Sequence, residues 1–169
     1  MTNPHLQAGF AEVDITPPLH LSLAGKFFPS PIQRVLDPLF AHAMVFESGA
    51  TRAVLIGCDL LACSGRPVDE VRNDVQEELG IPASHIAVFV THTHKGPYTQ
   101  AIFGHPPDTG YLLALRRKIV ECVRLAGDRM EPCEIGRAST FENNISFNRR
   151  YVMTDPLVRT HPQSYTSTA

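Results

Sequence analysis

A chain of 169 residues with a formal charge of −2, from 15 basic and 17 acidic residues, is long enough for one domain with a proper core. It carries neither the basic footprint of a nucleic-acid binder nor a polybasic membrane patch. No apolar stretch approaches the roughly 20 residues of a membrane-spanning helix, and Met1 to Pro18 lacks the charged and apolar regions of a secretory signal. Its four cysteines, Cys58, Cys63, Cys122 and Cys133, never form a Cys-x-x-Cys pair, so reduced thiols, a cytoplasmic location and small, roughly neutral partners are expected.

In chain order, Ala8 to Ile15 predicts a first strand that Thr16-Pro17-Pro18 ends by removing backbone donors. Leu19 to Pro38, punctuated by Gly25, Pro29, Pro31 and Pro38, predicts an ordered loop of functional length. Phe40 to Phe46 and Arg52 to Cys58, joined across Gly49, predict an antiparallel hairpin. Pro67 opens a helix with Val68, Val71, Val75 and Leu79 on one stripe, which Gly80 ends. Ile86 to Val90 is a continuous apolar run of the kind buried on both faces, making Arg52 to Val90 a strand-helix-strand unit with a right-handed crossover. A longer helix runs from Thr109 to Ala126, followed by a last strand near Cys133 to Arg137. The fold class expected is α/β, a mixed sheet with flanking helices.

The apolar run stops at Thr91-His92-Thr93-His94-Lys95-Gly96-Pro97. On an extended backbone His92 and His94 point to one side with Cα atoms about 6.5 to 7 Å apart, where two neutral imidazoles can converge on one ion, zinc above all, or one substrate. The alternative is that either ring only bonds backbone groups at a strand end. Position at a strand C-terminus favours a site, as do flanking hydroxyls on Thr91 and Thr93 that could accept from the rings and a Gly-Pro turn that could let backbone approach a ligand. Asp59, which follows the neighbouring strand, could face the same crevice. A metallo-β-lactamase site would need Asp and His where Gly96 and Pro97 stand, and an amidohydrolase barrel needs a longer chain.

That histidine string resembles the T-H-T-H-S-G-P signature of the neutral, or neutral/alkaline non-lysosomal, ceramidases. Three weaker similarities follow the same order. Ala8 to Pro18 looks like the family's A-G-x-x-x-x-D-I-T-x-P opening, Asp59-Leu60 like the end of its next apolar strand, and Asn144 to Arg150 like its N-x-N-R segment. The resemblance covers the chain to about Arg159, and less than half of the family's catalytic domain.

What the resemblance implies is a Zn2+-dependent amidase that splits ceramide into a sphingoid base and a fatty acid. His92 matches a zinc ligand, His94 a histidine beside the metal, and Arg149 an arginine needed for activity. Asp59 would orient a ligand or cap its strand. The family's other ligands, a histidine, a glutamate and a tyrosine, lie downstream of the N-x-N-R segment, and Asp59, His42 and His105 are poor substitutes for them. The expectation is therefore an incomplete N-terminal portion of a larger catalytic domain, residues 1–159 with an irregular tail at 160–169, acting on a small-molecule or lipid amide once a C-terminal half completes it. The alternative is a non-catalytic α/β binding or assembly module.

Overall fold

The computed structural model describes residues 6–26, 28, 30–146, 148, 150–154 and 157–160. The chain divides into two units, Met1–Glu134 and Ile135–Ala169. The first holds a five-stranded mixed sheet built from β1 (Gln7–Asp14), β2 (Phe40–Ser48), β3 (Thr51–Cys58), β4 (Ile86–Val90) and β5 (Glu131–Pro132), in the order β4-β3-β2-β1-β5. β1 to β3 are antiparallel neighbours. β3 and β4 run parallel, as a strand-helix-strand unit requires. The second unit contains a hairpin of β6 (Arg150–Val152) and β7 (Val158–Thr160).

Between β3 and β4 lies α1 (Arg66–Leu79), with Pro67 in its first turn and Gly80 at φ 68° closing it as its N–H donates to the Gln76 carbonyl. Gly80 suits that left-handed stop because it has no Cβ to clash. Helix α2 (Thr109–Gly127) starts at Asp108, whose carboxylate accepts from the Tyr111 N–H at 2.7 Å. Val71 and Val75 of α1 and Leu115, Ile119 and Val123 of α2 share one core with Ala43, Val45, Val54, Ile56 and Cys58 of the sheet. Strand alternation puts these sheet residues on one face.

Among the described residues of the first unit no helix packs on the opposite face, and register aligns Phe10, Met44, Leu55 and Ala87 in a row across four strands. Phe10 and Phe89 are 56% and 55% exposed. β4 is therefore not buried on both faces as its apolar run suggests; it is an edge strand covered on one side. The expected strand at Cys133 to Arg137 is also corrected. Pairing with β1 covers only Glu131 and Pro132, and residues 133–140 are irregular. The four cysteines are free thiols. Among the described residues no helix is long and apolar enough to cross a membrane.

Candidate functional site

Three segments meet where β3 and β4 end. The first is 91–99, which continues the parallel ladder with the Thr91 N–H donating to the Cys58 carbonyl at 3.1 Å. The second, 59–62, receives the Thr99 hydroxyl on the Ala62 carbonyl. The third is 21–26, where the Ala24 N–H donates to Gly96 O at 2.8 Å and the Tyr98 hydroxyl to Lys26 O at 3.2 Å. Pro97, Tyr98 and Thr99 are buried beneath this junction. The histidine loop is thus fastened on two sides.

His92 departs from the extended backbone that its sequence suggests, with φ at 62°. A non-glycine residue in the left-handed region costs on the order of 1 kcal/mol or more and persists where its surroundings enforce it. Here the ring supplies part of the enforcement, since Nδ1 lies 2.7 Å from the Leu61 carbonyl oxygen. A carbonyl only accepts, so Nδ1 carries the proton and the neutral ring keeps its lone pair on Nε2. A backbone carbonyl holding one nitrogen while the other is free is the arrangement of a metal-binding imidazole. The partner is not Thr91 or Thr93; the Thr93 hydroxyl accepts from the Lys95 N–H at 3.3 Å.

The His94 ring centroid stands 5.2 Å from that of His92 with the planes at 83°, and both residues are exposed. Gly25 makes room for it. A Cβ there would come within 2.4 Å of His94 Nδ1, and the backbone sits at φ 77°. Only glycine suits both demands, and the isolated Gly25 of the long loop was the available sequence signal. Gly96 has a different use from the one expected. A Cβ there would meet the Asp59 carbonyl at 3.3 Å, so its close approach serves packing against the end of β3.

The remaining candidates separate from this pair. Asp59 spends one carboxylate oxygen on the Phe40 N–H at 3.0 Å, capping the hairpin. His42 lies on the bare sheet face beside Glu12, and His105 packs on Tyr98 at 5.4 Å between centroids. Burial pushes the Cys58 thiol up to about 12 and raises that of Cys63, which keeps both protonated. Among the described residues no group of three His, Cys, Asp or Glu side chains could hold a metal. A catalytic zinc normally takes three protein ligands. His92 fits one such place, and the described residues do not complete the set. Arg149 lies outside the described residues.

No protein-family model and no curated protein matches the sequence. Among solved structures, the chain is similar to neutral ceramidase from Pseudomonas aeruginosa, with a TM-score of 0.69 and 20% identity over 77% of this chain. It is also similar to a ceramidase complexed with C2, with a TM-score of 0.65 and the same identity and coverage. In both cases the chain spans 22% of the length of the solved protein. The mixed sheet, its helices on one face and its strand-end loops thus form the fold of a portion of neutral ceramidase.

Proposed function

We propose that this chain contributes part of the active site of a Zn2+-dependent hydrolase acting on a linear lipid amide, as a ceramidase does, with residues 1–159 belonging to the catalytic domain. His92 is the metal ligand, and His94 and Arg149 are the catalytic groups. The observation that carries the reading is the His92 ring, anchored through Nδ1 to the Leu61 carbonyl at a strained strand end, with no hydrogen bond to Nε2 among the described residues. Zn2+ bound by a full ligand set supplies a polarised carbonyl and a water of lowered pKa. In hydrolysis water oxygen adds to the amide carbon, the C–N bond breaks and the amine leaves with a proton. His94, exposed beside His92, is the proton donor in this scheme, and Arg149 stabilises the developing oxyanion.

The test is a zinc titration of the chain against a chromophoric chelator. Asn tolerates a positive φ, so His92→Asn removes the imidazole with little backbone penalty. The variant is expected to bind zinc at least about tenfold more weakly, while His105→Asn leaves binding unchanged; equal affinity of His92→Asn and the parent chain overturns the assignment. The incomplete donor set among the described residues favours a second reading, a non-catalytic binding module. That reading expects cooperative thermal unfolding at the same temperature with and without chelator.

A further inference from the structure

The outer edge of β4 ends the sheet on the side away from β1, and among the described residues no strand lies beside it. Two bonds fix which of its backbone groups point outward. The Thr91 N–H donates to the Cys58 carbonyl of β3 at 3.1 Å, so along the same strand Ala87 and Phe89 also turn their backbone groups inward to β3. The alternate residues turn outward, and the Ile86 carbonyl accordingly accepts from Arg72 Nε of α1 at 3.0 Å. Arg72 thus occupies one end of the edge and leaves the N–H and C=O groups of Val88 and Val90 presented together. Nothing in the strand guards them, for Ile86 to Val90 carries no charge, proline or glycine.

We propose that a second copy of this chain adds its own β4 at this edge, antiparallel about a two-fold axis. Two features select a second copy over a foreign strand. The outward groups form an adjacent pair that is its own complement under two-fold symmetry, and no charged residue in the strand specifies a different partner. With Ile86 taken by Arg72, the register that uses both remaining residues pairs Val88 with Val90 of the second copy, exchanging N–H···O=C bonds in both directions. The axis then passes between the two Phe89 residues, a non-hydrogen-bonded pair with Cα atoms about 4.5 Å apart. Val88 and Val90 keep their side chains on the core, whereas Phe89 stands more than half exposed on the bare face, where the two rings meet as a cross-strand aromatic pair. Ala87 faces Thr91 of the second copy, so no like charges are opposed. One strand pair buries less than the roughly 1,200 Å² of a stable complex, which makes the dimer weak and concentration-dependent. The assignment requires neither zinc nor hydrolysis, so it stands or falls apart from the amidase reading.

Sedimentation equilibrium tests the interface. The chain is expected to be largely monomeric at about 1 µM and mostly dimeric near about 1 mM, with amide exchange at Val88 and Val90 slowing over the same range. Phe89→Lys, at an exposed position, opposes like charges across the axis and is expected to weaken the dimer at least about tenfold. Phe89→Glu should act alike, and mixing the two variants should restore association, because position 89 of one copy then meets the opposite charge at position 89 of the other. Phe10→Lys, three strands away on the same bare face, should leave the dimer unchanged. A monomer at every concentration, the outcome if a strand of another polypeptide is the true occupant, would overturn the proposal. So would a dimer indifferent to Phe89→Lys or lost in Phe10→Lys, a mixture that fails to associate, or exchange at Val88 and Val90 that ignores concentration.

Discussion

On one face of the sheet, α1 and α2 press on Ala43, Val45, Val54, Ile56 and Cys58 until these are almost fully buried. On the other, residues of the same strands, Phe10, Leu55 and Phe89, stay between 41% and 56% exposed. Both faces carry large apolar side chains, yet such side chains stabilise a fold in proportion to the area they remove from water, at about 25 cal/mol per Å². Hydrophobic character alone therefore does not mark the core; the covering layer does. Neighbouring residues of β3 should differ sharply in what they contribute.

The largest test of that contrast is Ile56→Ala against Leu55→Ala. Ile56 has no exposed surface, and truncation leaves a cavity worth about 2 to 5 kcal/mol. Leu55 keeps 41% of its surface in water, and its loss is expected to cost below about 1 kcal/mol. Urea unfolding of both variants measures the difference, and equal costs would mean that the bare face is covered in solution. A second contrast uses two glycines. A Cβ on Gly9 would stand 1.9 Å from the Ala126 carbonyl oxygen, where α2 crosses β1, and one on Gly57 would stand 2.8 Å from the Phe89 ring. Helix backbone cannot yield without displacing α2, whereas an exposed ring can turn aside. Gly9→Ala is thus expected to cost about 3 kcal/mol, and Gly57→Ala under about 1 kcal/mol, by the same unfolding measurement.

Periodicity and breakers made the central architecture legible. The run Phe40 to Cys58 gave the hairpin, the valine stripe of α1 gave a one-sided helix, and Ile86 to Val90 gave the parallel partner of β3. The exposure of Phe89 was not legible, because an apolar run shows that a strand can be buried on both faces without showing what covers it. Cys133 to Arg137 misled because strand formation near an edge depends on a partner, and β1 offers one to Glu131 and Pro132 only. The hairpin of β6 and β7 was missed, although Arg150 to Val152 and Val158 to Thr160 flank an Asp-Pro turn signal. At the candidate site the histidine string was visible, but the left-handed turn at His92, its bond to Leu61 and the space left by Gly25 arise from contacts distant in sequence.

The smallest expected difference concerns ion pairs. On the covered side Arg116 of α2 reaches Asp74 of α1 with two guanidinium nitrogens, one on each carboxylate oxygen, and lies 3.3 Å from Glu70. On the bare face Glu12 and His42 approach only to 3.8 Å with both side chains more than half exposed. A forked, partly buried pair joining two helices is worth about 1 kcal/mol, an open single contact close to nothing. The hydrogen bonds from Arg116 hold the Asp74 carboxyl below its ordinary pKa. A carboxyl lowered in this way contributes fully above its unfolded pKa and loses that contribution as pH falls through the lower native value. The stability lost in Asp74→Asn should therefore be present at neutral pH and fade as the solution is acidified through and below the ordinary carboxylate range. Glu12→Gln should track the parent chain within about 0.5 kcal/mol at neutral pH, and urea midpoints at several pH values distinguish the two. An Asp74→Asn deficit that persists in acid would assign the effect to packing between the helices, with charge playing no part.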